Sequence, residues 1–294
     1  MKTYVMEKMP DLFWQKVKEN GWQKYFIDDK SESEIVIIRT KTQFNKNLFD
    51  EFPKLKVIIR AGTGTDNIDI TEAEMRSVKI YNTPNANAHA AFEHTLSFAF
   101  ALIKQHESGK NAVINKSWKS QLSHNWEISD LRVLVVGVGR VGTKVAQSLQ
   151  HLGASVKGVD PYLSKAEWQN KKIEQVTYVE GLKWCNLLTF HCPLTEETHD
   201  YFSSQTLKLL QNPIWLINTS RGGVVDEVAI SAGLKCGKLL GVALDVFGEE
   251  PWNPQEFTKF ENVILSPHSG SFTQKAKVRL VNETIGILTD IYFK

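Results

Sequence analysis

Short apolar runs rich in valine, isoleucine and leucine recur along the chain, and turn signals or stretches with helical spacing separate them. The runs predict β-strands over Glu34–Arg39, Leu55–Arg60, Val78–Tyr81, Leu131–Val136, Ser155–Val159, Asn186–Cys192, Pro213–Asn218, Leu239–Val246 and Asn262–Pro267. The other stretches predict helices over Leu12–Asn20, Asn45–Phe52, Ala88–Lys104, Val141–Leu152, Gln205–Leu210, Glu227–Lys235 and Thr273–Phe293. Strands that alternate with helices indicate parallel sheets, so we expect an α/β fold.

The predicted strands fall into two series, one on each side of the helix Ala88–Lys104. We expect the first series to form a smaller flavodoxin-like α/β domain, and the second to form a Rossmann-type doubly wound parallel sheet. The last helix most simply packs back on the first domain, which makes that domain discontinuous. The predicted domains are residues 1–86 with 270–294, and residues 87–269 inserted between them.

The helix Ala88–Lys104 is apolar with little polar face, a pattern suited to burial between domains or between subunits. We therefore expect a homodimer. A monomer that buries this helix between its two domains is the alternative.

The segment Leu131–Ala146 reads LRVLVVGVGRVGTKVA and places three glycines between a predicted strand and a predicted helix. Gly137 would allow the tight turn, Gly139 would let the backbone approach a pyrophosphate, and Gly142 would let helix and strand pack closely. The phosphates would lie at the positive end of the helix dipole, beside Arg140 and Val141. Because glycine pairs also make ordinary turns, this segment alone leaves a plain loop open.

An acidic residue follows at the distance that a dinucleotide site requires. Asp160 ends the next predicted strand, 18 residues beyond Gly142, where a carboxylate can bind the ribose hydroxyls. Pro161 and Tyr162 come next, without an arginine to hold a 2′-phosphate. The pattern therefore favours NAD over NADP, with a solvated aspartate at a strand end as the alternative.

Three polar residues follow later strands of the same series, where ligands of doubly wound sheets bind. They are Arg221 in NTSRGGVVDE, Glu250 in LDVFGEEP and His268 in SPHSGS. Hydride addition to a carbonyl needs a proton donor near neutral pH, which histidine suits, and a cation that holds a carboxylate and polarises the oxygen. Each residue alone has an ordinary surface role as its alternative, but together they favour a dehydrogenase.

Charge and cysteine content narrow the possible partners. The 35 basic and 33 acidic residues leave a net charge of +2, so neither a nucleic acid nor an anionic membrane is expected as a partner, and a small molecule is. Cys185, Cys192 and Cys236 are widely spaced in apolar surroundings and suggest neither disulfides nor a metal site. Without a signal-peptide pattern or an apolar run long enough to span a membrane, we expect a cytoplasmic protein.

The ordered motifs resemble those of the D-isomer-specific 2-hydroxyacid dehydrogenases over nearly the whole chain. They are RAGTGTDNID (Arg60–Asp69), NTPN (Asn82–Asn85), GVGRVG with Asp160, NTSRGGVVDE (Asn218–Glu227), GVALDVFGEEP (Gly241–Pro251) and SPH (Ser266–His268). The resemblance implies Arg221 as the residue that binds and polarises the substrate, His268 as the acid/base and Glu250 as the partner of the histidine. Glu250 is chosen over Glu249 because the acid of this family lies five residues beyond the aspartate of LDVF.

The resemblance assigns further residues to the cofactor and the substrate. Asp245 would face the nicotinamide carboxamide, and the backbone amides of Thr63 and Gly64 would take the substrate carboxylate. A plain glycine turn is the alternative for AGTG.

Within the family, RAGTGTDNID followed by NTPN is most similar to the members that oxidise 3-phospho-D-glycerate in serine biosynthesis. Arg39 and Arg60, with Lys41, come from adjacent predicted strand ends and could meet the phosphate. Few basic residues precede the cofactor domain, unlike many such enzymes, and we expect the regulatory domain of many relatives to be absent. The alternatives are a reductase of glyoxylate, hydroxypyruvate or another 2-oxo acid, and a corepressor-like protein that senses NAD(H).

Overall fold

The computed structural model describes residues 1–293 apart from Leu122 and His124, with the backbone alone for Ser120 and Gln121. The chain divides into two compact units, Met1–His89 with Ser271–Lys294, and Ala90–Gly270. Short 3-10 turns connect several elements, at Gln23–Tyr25, Trp118–Gln121, Ile128–Asp130, Gly222–Val224 and Phe257–Lys259.

The first unit contains a four-stranded parallel sheet in the order β1-β2-β3-β4. The strands are β1 (Thr3–Val5), β2 (Ile35–Ile38), β3 (Val57–Arg60) and β4 (Lys79–Asn82). Phe26 forms an isolated parallel bridge to Thr3 on the outer side of β1. If this bridge is counted as a rudimentary second strand, the order becomes 2-1-3-4-5, which is the flavodoxin order and confirms the expectation for this domain.

Helices cover both faces of this sheet, which is why β2 and β3 are apolar without alternation. The helices are α1 (Asp11–Glu19), α2 (Lys46–Asp50), α3 (Ile70–Met75) and, at the C-terminal end of the chain, α11 (Gln274–Phe293). One face packs Ile35 and Ile37 against Phe13 of α1 and Leu288 of α11. The other face packs the alternate residues of β2 against aromatic side chains that include Phe49 of α2.

The second unit contains a seven-stranded parallel sheet in the order β11-β10-β9-β8-β5-β6-β7. The strands are β5 (Arg132–Val136), β6 (Ser155–Val159), β7 (Glu174–Gln175), β8 (Leu187–Phe190), β9 (Ile214–Asn218), β10 (Leu239–Leu244) and β11 (Val263–Leu265). Counted within the unit, this order is 7-6-5-4-1-2-3, so the order in which successive strands are added reverses between β5 and β8. It is the Rossmann-type doubly wound arrangement that the sequence predicted, and such sheets bind ligands at the reversal point.

Helices lie on both faces of the larger sheet. They are α4 (Ala88–Ile103), α6 (Arg140–His151), α7 (Lys165–Lys171), α8 (Tyr178–Trp184), α9 (Ser204–Leu209) and α10 (Glu227–Lys235), and a further helix, α5 (His106–Ile114), follows α4. In α4, Phe98, Ala99, Leu102 and Ile103 pack into the core of the second unit. The apolar character of this helix was predicted to reflect burial between domains or subunits, but burial within one unit accounts for these four residues.

In the described part of the chain, no helix has both the length and the apolar character that crossing a membrane requires.

Candidate active site

The glycine turn lies at the end of β5, where the strand order of the larger sheet reverses. Gly137 has a left-handed φ of +87°, and a Cβ there would lie 2.6 Å from the amide nitrogen of Cys192. A Cβ on Gly142 would lie 1.9 Å from the Gly137 carbonyl oxygen, so these two glycines are required by packing. A Cβ on Gly139 would have no heavy atom within 4 Å, and no side chain caps α6 at this residue. The backbone at Gly139 is therefore open to a ligand.

Asp160 joins the end of β6 to this turn. The Val138 amide donates to Asp160 Oδ2 at 2.9 Å, and the Tyr162 amide donates to Oδ1 at 3.1 Å. Arg140 is exposed and Val141 is partly buried at the start of α6. The residues that the sequence predicted for a dinucleotide are thus close together along one edge of the sheet, with the carboxylate fixed by two backbone amides.

The loop that carries Arg221 follows β9 and is shaped by Asn218. The buried Asn218 side chain accepts hydrogen bonds from the Ser220 amide and hydroxyl, and it donates to the Arg221 carbonyl oxygen at 2.8 Å. Arg221 Nη1 donates to the Ser220 carbonyl oxygen at 2.8 Å. A Cβ on Gly222 would lie 1.8 Å from the carbonyl carbon of Phe247. The Arg221 loop therefore packs backbone to backbone against the segment that leads to Glu250.

His268 and Glu250 are in direct contact. His268 Nδ1 lies 2.8 Å from Glu250 Oε2, and the Phe247 amide donates to Glu250 Oε1 at 3.2 Å. About a third of each side chain is exposed, 36% for His268 and 37% for Glu250. His268 adopts a left-handed φ of +50°, a conformation that is uncommon for non-glycine residues but that histidine adopts more often than most. The pair thus presents a fixed and accessible imidazole.

Asp245, at the end of β10, is 2% exposed and holds the segment before and after His268. Its oxygens accept hydrogen bonds from the Ser266 hydroxyl and from the amides of Ser269, at 2.7 Å, and Gly270, at 2.8 Å. Burial raises the pKa of the Asp245 carboxyl, but hydrogen bonds from His94, Ser266 and the two amides outweigh it and keep the pKa below its ordinary value. The carboxylate that was predicted to face the nicotinamide is therefore engaged within the protein.

Two residues near these loops were not predicted from the sequence. His94 Nε2 lies 3.0 Å from Ser266 Oγ. Glu227 accepts the Gly248 amide and the Trp252 indole N–H, at 2.9 and 2.8 Å, and so fixes the segment before and after Glu250. Glu227 closes the NTSRGGVVDE motif, which was a usable signal. The position of His94 inside a helix gave none.

In the first unit, Arg60 lies beside the AGTG loop. Its side chain is buried, and a Cβ on Gly62 would lie 1.2 Å from Arg60 Nη1, so the guanidinium occupies the space that this glycine leaves. The loop is held by Asn82, whose side-chain amide donates to the Thr63 carbonyl oxygen at 2.7 Å. Gly64 follows in the same loop. The structure thus places a cation next to the predicted carboxylate-binding segment.

Arg39 is directed elsewhere in the first unit. Arg39 Nη1 donates to the Lys8 carbonyl oxygen at 3.1 Å, and the Arg39 amide donates to Glu7 Oε1 at 2.8 Å. Glu7 also accepts the amides of Lys41 and Thr42. Burial raises the pKa of the Glu7 carboxyl, but the hydrogen bonds from these three residues lower it by more. The pKa therefore lies below its ordinary value, and the group is an anion at neutral pH. The Arg39 side chain is thus bound at Lys8, whereas the hydroxyl of the next residue, Thr40, accepts from Arg60 Nη2 at 3.5 Å.

No group of three or more histidine, cysteine, aspartate or glutamate side chains could hold a metal ion among the described residues. What the second unit offers is an open glycine turn at a helix start, an arginine on a tightly packed loop, and an imidazole paired with a carboxylate. These groups can bind a phosphate-bearing ligand and transfer a proton.

Solved structures share this fold. The D-lactate dehydrogenase from Aquifex aeolicus, solved with NAD and lactic acid, superposes with a TM-score of 0.86 at 24% identity, covering 99% of this chain and 95% of that chain. A D-2-hydroxyisocaproate dehydrogenase superposes with a TM-score of 0.84 at 22% identity, covering 100% of this chain and 97% of that chain.

A curated relative is more similar in sequence. D-3-phosphoglycerate dehydrogenase of Bacillus subtilis (strain 168) is 31% identical over 286 residues, which are 95% of this chain and 54% of that protein. The chain spans about half the length of the curated relatives it matches. Residues 96–270 match the family described as D-isomer specific 2-hydroxyacid dehydrogenase, NAD binding domain, which confirms the predicted cofactor. The chain therefore belongs to the family of D-isomer specific 2-hydroxyacid dehydrogenases.

Proposed function

We propose that this protein is an NAD-dependent oxidoreductase that interconverts a D-2-hydroxy acid and the corresponding 2-oxo acid. The observation that carries the proposal is the 2.8 Å contact between His268 Nδ1 and Glu250 Oε2 in a unit whose sequence matches the NAD binding domain of the family. Because Glu250 engages Nδ1, Nε2 is the ring nitrogen that exchanges a proton with the substrate.

The residues at the glycine turn fit the cofactor. The open backbone at Gly139 and the first amides of α6, those of Arg140, Val141 and Gly142, would hold the pyrophosphate. Asp160 would accept the ribose hydroxyls, since a carboxylate has lone pairs beyond the two that its amide donors use. Asp245 already accepts several hydrogen bonds from the protein, so the carboxamide N–H of the cofactor would have to use a lone pair that those donors leave available.

The reaction needs one proton at the substrate oxygen and one hydride at its carbon. When bound, the cofactor supplies or accepts the hydride. His268 would donate its Nε2 proton to the carbonyl oxygen in reduction and remove the hydroxyl proton in oxidation. Glu250 would keep the ring oriented, and Arg221 would hold the substrate and polarise its carbonyl group.

We propose that Thr63 and Gly64 bind the substrate carboxylate through their backbone amides. The neighbouring guanidinium of Arg60 supports an anionic ligand at this loop. The curated relatives named D-3-phosphoglycerate dehydrogenase support 3-phospho-D-glycerate as the substrate, and with it a role in serine biosynthesis. Arg60 is then the residue that meets the phosphate. Arg39, which is engaged with Lys8, would contribute only after its side chain moves.

Unphosphorylated D-2-hydroxy acids are the second candidate class, because the structural neighbours include a D-lactate and a D-2-hydroxyisocaproate dehydrogenase. The test is a panel of 2-oxo acids with NADH, followed by the loss of NADH absorbance. The panel contains 3-phosphohydroxypyruvate, hydroxypyruvate, glyoxylate, pyruvate and 4-methyl-2-oxopentanoate. A higher kcat/KM for the phosphorylated acid, reduced by Arg60→Gln at least 10-fold more for that acid than for the others, supports the phosphate assignment, and equal values across the panel contradict it.

Tight NADH binding without turnover of any acid in the panel would contradict the enzymatic proposal. That result would favour a protein that binds NAD(H) and regulates an assembly.

We further propose that the protein forms a homodimer. The large apolar side chains of Val113, Ile114 and Trp118 are each more than 60% exposed, at the end of α5 and in the turn after it. Apolar surface of this kind is typical of an interface between subunits. Sedimentation equilibrium should give a dimer for the wild type and a monomer for Ile114→Glu. A monomeric wild type at micromolar concentration would refute the proposal.

A further inference from the structure

Two consecutive residues of α4 contact the two loops that carry the proposed catalytic side chains. His94 contacts the segment from Ser266 to Gly270, which includes His268. Thr95 contacts Thr219, two residues before Arg221. In the sequence this helix is marked only by its apolar character, and neither His94 nor Thr95 belongs to the family motifs.

The contact of His94 is part of a polar cluster in which Asp245 is buried and His94 and Ser266 are partly buried. Its Nε2 lies 3.0 Å from Ser266 Oγ and 3.4 Å from Asp245 Oδ1. A Cβ on Gly270 would lie 2.8 Å from Asp245 Oδ2 and 3.3 Å from His94 Cδ2, so the loop closes tightly over both side chains. His94 thereby contacts the segment on both sides of His268, whose backbone turns through a left-handed φ of +50°.

The contact of Thr95 is a hydrogen bond between two hydroxyl groups. Thr95 Oγ1 donates to the Ala91 carbonyl oxygen at 2.8 Å and lies 2.8 Å from Thr219 Oγ1. A hydroxyl has one proton to donate, so Thr219 is the donor and Thr95 the acceptor in the second bond. Thr95 is 1% exposed, which excludes water as a ready replacement for either partner.

The helix itself is firmly anchored. Phe98 and Leu102, on the turns that follow His94, pack into the apolar cluster that also contains Ile217 of β9 and Ala243 of β10. These are the two strands that lead into the Arg221 loop and to Asp245. A helix fixed against both strands can therefore serve as one common reference for both loops.

We propose that His94 and Thr95 are positioning residues that hold the His268 segment and the Arg221 loop in register with each other. The proposal rests on the proposed function, since it assigns these residues through His268 and Arg221. Its physical basis is that a misplacement of about 1 Å costs roughly 10²-fold in rate when reacting groups must meet in a fixed geometry.

The Thr95 contact is tested by Thr95→Val against Thr284→Val. Thr284 is fully buried in α11 and donates to the Leu280 carbonyl oxygen at 2.8 Å, so its variant loses the same bond within a helix without touching either loop. We expect Thr95→Val to lower kcat/KM at least 10-fold with the Kd of NADH unchanged, and Thr284→Val to leave both constants unchanged. Thr219→Val should match Thr95→Val, and the double variant should be no worse than either.

The His94 contact is tested by His94→Leu and His94→Gln. Leucine removes the polar contact, whereas the glutamine amide can again reach Ser266. We expect kcat to fall at least 10-fold in His94→Leu with little change in KM, and to recover substantially in His94→Gln. Ser266→Ala removes the same contact from the loop side and serves if His94→Leu does not fold.

The outcomes separate this proposal from the proposed function. If the wild type turns over a 2-oxo acid and Thr95→Val and His94→Leu retain its kcat/KM, the positioning proposal is wrong and the enzymatic one stands. If the wild type turns over no acid, the enzymatic proposal fails, and hydrogen exchange then decides the positioning. Faster exchange at the Ser269 and Gly270 amides in His94→Leu would support it, and unchanged exchange would overturn it.

Discussion

The glycine turn offers a substitution that separates a packing glycine from a ligand-binding one. Gly139 has a φ of −78° and a ψ of −149°, just beyond the extended region that alanine favours, and its Cβ would have no heavy atom within 4 Å. Alanine in place of glycine at this position before α6 therefore costs about 1–2 kcal/mol of folding free energy, from backbone strain rather than from overlap. Gly139→Ala should therefore fold, with a modestly lowered melting temperature.

The same methyl group would stand where the pyrophosphate must approach the backbone. We expect the Kd of NADH to rise about 10- to 100-fold, which corresponds to roughly 1.4–2.8 kcal/mol of binding free energy. Gly142→Ala should behave in the opposite way, because its Cβ would lie 1.9 Å from the Gly137 carbonyl oxygen. Relief of that overlap requires a shift of α6 or of the turn, at a cost of about 1–3 kcal/mol of unfolding free energy or more.

The assay is a fluorescence titration with NADH beside a denaturant unfolding curve for each variant. Gly286→Ala is the matched control, because Gly286 is exposed within α11 and its Cβ would also have no neighbour within 4 Å. It should raise the unfolding free energy by up to about 1 kcal/mol and leave NADH binding unchanged. A Gly139→Ala variant that binds NADH within twofold of the wild type would refute the placement of the pyrophosphate at this turn.

Three further predictions concern the loops and the sheet. His268→Gln should lower kcat/KM roughly 10²- to 10⁴-fold with the Kd of NADH unchanged, and near-normal turnover would exclude His268 as the acid/base. Gly222→Ala should lower kcat/KM about 10²-fold, because its Cβ would lie 1.8 Å from the Phe247 carbonyl carbon and the Arg221 loop must move; an unchanged rate would show that this packing is unimportant. Burial lowers the pKa of His191 to about 3, whereas the unfolded chain takes up this proton near pH 6.5. The free energy of unfolding should therefore have its full value above about pH 6.5 and fall as the pH drops towards 3, by about 1–2 kcal/mol at pH 5. Urea unfolding of His191→Gln should show a smaller pH-dependent fall than the wild type, and equal falls in the two proteins would contradict this assignment.

The sequence predicted elements best where the chain carries its own start and stop signals. Glu227–Lys235 was predicted to the residue, and Asp226 accepts the Val228 amide at its start. The strand Ser155–Val159 was equally well predicted, after the left-handed Gly153. Predicted strands such as Asn186–Cys192 were longer than the observed Leu187–Phe190, because apolar character continues beyond the residues that pair in the sheet.

Some missed elements had readable signals and others had none. The short helices α7 and α8 begin with capping boxes at Ser164 and Thr177, and the corresponding patterns S-x-x-E and T-x-x-E are visible in the sequence. β1 and β7 have three and two residues, too few to show a period of two. They form because the edge of a neighbouring strand presents unpaired backbone N–H and C=O groups, and the sequence alone does not show which strand lies beside them.

The same division applies to the candidate site. The glycine turn with Asp160 is built from a strand, a helix and the next strand, so its residues are close together along the chain and their spacing is informative. The contact between Gly222 and Phe247 and the contact between His94 and Ser266, 172 residues apart, depend on how four separate elements pack. Only the folded structure shows that two such long-range contacts restrain the loops of Arg221 and His268. The type of reaction could therefore be predicted from the residue types, whereas the contacts that hold Arg221 and His268 in place could be seen only in the packing. Variants of the packing residues test whether those contacts matter for turnover.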